Sequence, residues 1–217
     1  MKNYKLRIAN YVLAICNLGL AAVLYPALPD QIPMNWGADG TVSYSAKSQL
    51  FLMCGMALLI AFLFDILPKI DPRRKNYQKF GPYYDGFCIF MQIFLLAMTG
   101  IVLTESFRPG TISVPVVVMI GVGILFLFIG NMLPKVKSNF YMGIKTPWAL
   151  SNDEVWRKTH RLAGKCFFLS GLIMIFSAFL PNQKLIFWLT MACVLAACLI
   201  PTVMSYVWWK QAQKSEQ

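Results

Sequence analysis

The sequence predicts an all-α, polytopic membrane protein: a bundle of six transmembrane helices with an interfacial amphipathic helix on the cytoplasmic side. Three observations predict it. The 217 residues are 58% hydrophobic, with a mean hydropathy of +0.57, whereas soluble domains run at about 45–50% apolar. The excess is gathered into runs near the roughly 17–25 residues that a spanning helix needs. The Lys and Arg residues lie between these runs, 17 on one side of the implied topology and 3 on the other.

That distribution also decides what the net charge of +11 means. Cations placed in short intervals between spans are topology signals, so no nucleic-acid partner is expected and the lipid bilayer is the implied surroundings. The six Cys lie in or beside apolar runs and none forms Cys-x-x-Cys. They read as small buried hydrophobes, with no disulfide framework, metal site or cofactor expected.

Residues 8–24 form the first run, after Lys2, Lys5 and Arg7. A basic start and an apolar run also describe a secretory signal. No small-x-small cleavage site follows, and Tyr25-Pro26 come next, so the run is expected to be an uncleaved span. Residues 25–49 read as an external loop. Pro29 and Pro33 oppose helix, Gly37 and Gly40 supply turns, and Trp36 and Tyr44 suit a membrane interface.

The second run, 50–67, contains Asp65 near its end. A carboxylate inside a span is a functional candidate by default; the alternative is a headgroup-level partner for Lys69 or for an Arg of the next loop. Residues 68–86 read as a basic loop, 87–103 as the third span, 104–113 as a short loop with Glu105 and Arg108, and 114–133 as a fourth span rich in Val and Gly. Residues 166–180 are the fifth span, beginning inside the amphipathic helix. After a turn at 181–184 comes the sixth, 185–208, with a kink expected at Pro201. Six spans put both termini on one side, and the charge bias makes that side cytoplasmic.

The polar interval 130–165 carries seven of the 20 Lys and Arg and the one His. Ser151 followed by Glu154 has the spacing of a capping box, and Asp153 and Glu154 suit a first helical turn. At about 100° per residue, Arg157, Lys158, Arg161 and Lys165 share one face, while Val155, Trp156, Thr159, Leu162, Ala163 and Cys166 take the other. Such a helix presents its cations to lipid headgroups or to an acidic partner, or is simply the charged lead-in to the next span. Asn131, Trp148, Trp156, Arg157, His160 and Arg161 are expected to gather in one cytoplasmic polar cluster. In it the indoles donate to Asn131 or Asp65, and the arginines reach Asp65 or lipid phosphate. The competing reading makes the tryptophans interfacial anchors and turns the arginines to headgroups.

Particular residues carry a family resemblance. Gly130-Asn131, Leu133-Pro134-Lys135, Asn139-Phe140-Tyr141, Gly143-Ile144-Lys145-Thr146-Pro147-Trp148, Leu150-Ser151-Asn152 and Val155 through Arg161 are similar to the signature of the SdpI family of bacterial immunity proteins. Leu28 through Trp36 resembles a small membrane domain of unknown function, DUF1648, that often precedes it. The resemblance implies a DUF1648-like membrane domain over residues 1–86 and an SdpI-like one over 87–217. It implies a multi-pass protein of a bacterial cell membrane that protects the cell against a secreted, membrane-active peptide toxin. A family member can also hold a transcriptional repressor at the membrane, which makes a cytoplasmic repressor a second possible partner.

The candidate functional set is Asp65, Asn131, Asn139, Lys145, Pro147, Trp148, Trp156, Arg157, His160 and Arg161, with Asp30, Asn35, Trp36 and Asp39 as external recognition residues. Two positions depart from the family pattern. Lys145 stands where Arg is usual, which loses a planar bidentate fork, and Asn35 stands where His is frequent and cannot titrate. A small transporter or channel is the alternative function, but it has few ionisable groups within the spans to draw on. Catalysis is not expected: Asp153 and His160 share a helix face, yet one His and one carboxylate make neither a closed metal site nor a triad.

Overall fold

The protein, seen in a computed structural model, is described over residues 3–37 and 41–215. Among these residues it has helices α1 (Tyr4–Leu24), α2 (Gln49–Ile70), α3 (Tyr77–Phe107), α4 (Val114–Met132), α5 (Pro147–Ser151), α6 (Asp153–Ser177) and α7 (Gln183–Ser215). Five of them, α1, α2, α3, α4 and α7, are long and apolar enough to cross a membrane. α6 is the remaining long helix. Its 25 residues would extend about 37 Å at the α-helical rise, but its charged first half keeps it out of that set. The expected amphipathic helix and the fifth span are therefore a single continuous helix.

The first loop is not irregular. It contains an antiparallel hairpin, β1 (Gln31–Trp36) and β2 (Val42–Ala46), with a bulge between Pro33 and Asn35. A two-stranded sheet is all edge, which is where Pro33 can be accommodated without breaking an interior ladder. Ile32 anchors the hairpin. It is fully buried among Ala21, Leu50, Cys54, Val102 and Leu103, where the end of α1, the start of α2 and the end of α3 meet.

The basic loop is also shorter than expected, because α3 begins at Tyr77. The helix breaks at Phe80, whose φ of −131° is not helical, and resumes through Pro82. Proline is tolerated there because the amides at the start of a restarted helix have no intrahelical acceptor to lose. At the other end, Glu105 is buried and accepts from the backbone N–H groups of Gly110 and Ile112, closing the turn into α4.

The helices pack in two groups. α1 lies against α2 and α3, through Ala14, Ala21, Ala57 and Ala61, all fully buried. α6 lies between α4 and α7. Gly130 faces Gly164 across the α4–α6 seam, and Gly123 faces Gly171 seven residues further out. Small residues let helix backbones approach closely in lipid, where apolar burial gives helices little reason to associate. The groups meet through α3 and α4, where Phe90 stacks on Phe128 with centroids 4.7 Å apart. Large side chains such as Val23, Leu52 and Phe176, each more than 70% exposed, face outward where acyl chains would cover them.

Asp65 belongs to the first group. Its carboxylate meets Arg7 of α1 at 2.5 Å and Lys69, one turn on, at 3.0 Å. The lysine is a partner the sequence suggested. The arginine comes from the amino-terminal segment rather than from the following loop, because α1 and α2 lie side by side.

Candidate functional site

The interval between α4 and α6 folds back over the ends of both groups opposite the hairpin and is latched there by buried polar groups. The latch begins where α2 ends. Asp71 is 2% exposed, and its Oδ1 accepts from the Arg73 N–H at 2.7 Å. Its Oδ2 accepts from the Tyr77 hydroxyl at 3.1 Å and from the Phe140 N–H at 2.9 Å. Arg73 donates to the Ser138 hydroxyl and to the Leu150 carbonyl, and lies over the Phe140 ring. Asn76 donates to the Ser138 carbonyl at 2.7 Å. One short turn of the chain thus holds residues more than 60 positions away.

Asn139 is the centre of the latch. It is fully buried. Its amide nitrogen donates to the carbonyls of Lys137 and Met142, and its oxygen accepts from the Tyr141 and Met142 N–H groups and from the Tyr77 hydroxyl. Every hydrogen-bonding position of the side chain serves the loop or its anchor.

His160, on α6, receives the far end of the loop. It is 1% exposed and stacks on Trp156 with ring centroids 4.0 Å apart. The Ile144 N–H donates to Nε2, so Nδ1 carries the proton and faces the Trp156 carbonyl at 2.9 Å. Gly143 lies directly over the imidazole at φ 106°, and any Cβ there would overlap the ring. The Trp156 indole donates to the Val136 carbonyl at 3.0 Å, a backbone acceptor rather than Asn131 or Asp65. Around these groups Tyr77, Phe80, Tyr84, Met132, Met142 and Trp156 form one apolar core.

The entry to α6 also differs from the capping box expected at Ser151. Asn152 is the N-cap, its side chain accepting from the Glu154 and Val155 N–H groups. Ser151 closes α5 instead, donating to the Trp148 carbonyl. Thr146 caps α5 through the Ala149 N–H, with Pro147 in its first turn, where a missing N–H costs no hydrogen bond. The chain ends one short helix before starting another, so the cap falls one residue later than the spacing suggests.

The expected six-residue cluster separates into four places. Trp156 and His160 are together in the latch. Trp148 packs on Tyr206 of α7, with centroids 5.0 Å apart. Arg157 is exposed and pairs with Glu154, which also holds Lys158, and these partners keep the Glu154 carboxyl below its ordinary range. Asn131 and Arg161 are exposed on the other side of the α4–α6 seam. Asp65 is on α2, paired to Arg7 and Lys69, and Lys145 is exposed, donating to the Tyr141 carbonyl. At the hairpin, Asn35 is an exposed strand residue, Trp36 packs partly into the hairpin's core, and Asp30 pairs with Lys47. Asp39 lies outside the described residues. Sequence reasoning missed Asp71, Asn76, Tyr77 and Ser138. A signal existed for Asp71, the one carboxylate among the basic residues of 69–79.

Burial pushes the His160 imidazole down to about 4, from an ordinary value near 6.5. Its neutral form therefore stabilises the latch fully above about pH 6.5, and that contribution is lost as pH falls through the folded value of about 4. Hydrogen exchange at the Ile144 amide, corrected for intrinsic rates, should show constant protection from pH 8 to about 6.5 and declining protection below. Protection unchanged down to pH 4 would show that His160 does not hold the loop.

An apolar cavity of about 360 Å³ opens at the opposite, hairpin end. Trp36 of the first group forms one wall, and Val116, Met119, Leu180, Ile186 and Phe187 of the second group form the others. It spans the two groups that the latch joins.

Two family models match the chain. Residues 135–205 match the SdpI/YfhL protein family, and residues 12–68 match a domain of unknown function, DUF1648. The first match covers the latch loop, α5, α6 and most of α7; the second covers most of α1, the hairpin and most of α2. The chain is 23% identical over 211 residues to the immunity protein SdpI of Bacillus subtilis (strain 168), an alignment covering 97% of this chain and 99% of that one. No solved structure matches the chain.

Proposed function

From a likeness to the immunity protein SdpI that extends along nearly the whole chain, we propose that this protein is a membrane immunity protein, protecting its cell against a secreted, membrane-active peptide toxin of the SDP type. The observation that carries the reading is the alignment with an immunity protein over 97% of this chain. The geometry fits a binding role. His160 has both ring nitrogens engaged and Asn139 has no free valence, so the most polar site is committed to holding structure. The outer cavity beside Trp36 offers apolar walls where a secreted, membrane-inserting peptide would first meet the protein. The latch at the far end keeps the two walls of that cavity together.

Expression in a toxin-sensitive strain should raise survival against a cognate SDP-type peptide, and Trp36→Ala should reduce that survival at unchanged membrane abundance. A chain that counters no membrane-active peptide would overturn the reading. The second role implied by the resemblance, recruitment of a repressor, would use the exposed basic face of α6; Glu154 already neutralises part of that face.

In this reading both termini are cytoplasmic, from the 17-to-3 division of Lys and Arg. Single cysteines at Ser43 and Ser151, both exposed, in a chain cleared of native Cys, should label from opposite sides of intact cells. Ser138 is unsuited to the purpose, being buried in the latch. Labelling of Ser151→Cys from outside would reverse the topology.

A further inference from the structure

The four cations of the α6 basic face are not equivalent. Arg157 and Lys158 are closed on Glu154 within the helix. Arg161 and Lys165, one turn apart, instead line a cleft of about 340 Å³ beside the α4–α6 seam. Lys135, just beyond the end of α4, and Asn131 line the same cleft. Among the described residues, none of these four side chains has a hydrogen-bond or ion-pair partner. The seam explains why they converge. Gly130 and Gly164 bring the backbones of α4 and α6 into contact, so Lys135 and Arg161, on different elements, come to border one cleft.

Three cations without carboxylates repel one another unless an anion joins them. The carboxyl end of α4 supplies about half a negative charge, well short of three. What lies below the cleft indicates the kind of anion. Phe168, one turn past Lys165 on the same helix, forms its lower wall and is 45% exposed. Beyond it α6 presents Leu169, Ile173 and Phe176 outward. The cleft therefore sits at the change from charged to apolar surface, which in a membrane protein is the headgroup level.

We propose that this cleft binds the phosphate headgroup of an anionic phospholipid of the cytoplasmic leaflet, with an acyl chain descending along Phe168. Lys135, Arg161 and Lys165 contact the phosphate, and the Asn131 amide donates to it or to the glycerol oxygens. Phosphate is the matching group because a guanidinium and two ammonium groups together supply many donors and no acceptor. The site is separate from the latch and from the outer cavity, so it stands whether or not the immunity reading does.

The full chain is reconstituted in phosphatidylcholine nanodiscs containing increasing phosphatidylglycerol, and retained lipid is counted by native mass spectrometry. The wild type should retain phosphatidylglycerol selectively. The triple variant Lys135→Gln/Arg161→Gln/Lys165→Gln should lose this by about fivefold for each cation removed, since each is worth about 1 kcal/mol near an anionic surface. The double variant Arg157→Gln/Lys158→Gln, on the other side of the same face, should retain it. All five positions are exposed, and a melting curve for each variant checks that the fold is kept. Equal loss in both variants would reduce the effect to overall charge and overturn the site. Displacement of the lipid by millimolar inorganic phosphate would make the ligand a free anion and overturn the lipid assignment. A wild type without preference for phosphatidylglycerol would leave the cleft to an acidic protein and overturn the proposal.

Discussion

Replacing Gly130 with leucine should remove most of the folded protein from the membrane. A Cβ at this position would lie 2.5 Å from the Phe168 nitrogen and 2.8 Å from the Gly164 carbonyl. Both neighbours are backbone, so no rotamer change can make room, and α4 and α6 must separate. Overpacking a fitted core typically costs about 1–3 kcal/mol. Here the cost extends along the seam, since Gly123 and Gly171 are in backbone contact further out. α6 depends on this contact because its charged first half gives it little affinity for lipid. Gly100→Leu is the control, in a helix of the same bundle, where an added Cβ meets nothing within 4 Å. The measurement is the monodisperse peak and thermal midpoint of each variant in detergent. If Gly130→Leu melts with Gly100→Leu, the seam is not what holds α4 to α6.

Asn139→Leu should have a different signature: protection lost, with the helix bundle retained. The substitution removes both donors and the acceptor that organise residues 137–142. It leaves the Met142 N–H buried without its partner, and each such orphan costs about 1–3 kcal/mol. With several hydrogen bonds lost together, the loop should open by several kcal/mol in all, while the glycine seam is untouched. The Tyr77 hydroxyl keeps Asp71 as a partner, so the end of α2 should remain ordered. Fast hydrogen exchange at Tyr141 and Met142, with near-normal abundance and survival at the level of cells lacking the protein, is the expected combination. An open loop with full protection would separate the latch from function and leave the cavity at the hairpin end as the site to pursue.

What the sequence determined by itself is whatever depends on local composition. Runs of apolar residues in α1, α2, α3, α4 and α7 are sufficient to select spanning helices, because lipid requires every backbone group to be bonded within its own segment. Proline and glycine showed where the intervals begin, and the motifs of 130–161 showed which interval is unusual. Local reading failed where two weak local signals compete. Ser151 and Asn152 can each cap a helix, and the choice fell to Asn152 only because Pro147–Ser151 forms its own short helix first.

The tertiary structure alone decided who meets whom. Asp71 contacts Phe140 across 69 residues, and Arg73 reaches Leu150 across 77. No periodicity encodes such a pairing, because a hydrogen bond between distant segments depends on where the helix ends are placed. The same cause divided the expected polar cluster. Trp156 and His160, four residues apart on one face of α6, point into the latch. Arg161, the very next residue, is turned about 100° around the helix and faces a cleft on the far side of the seam.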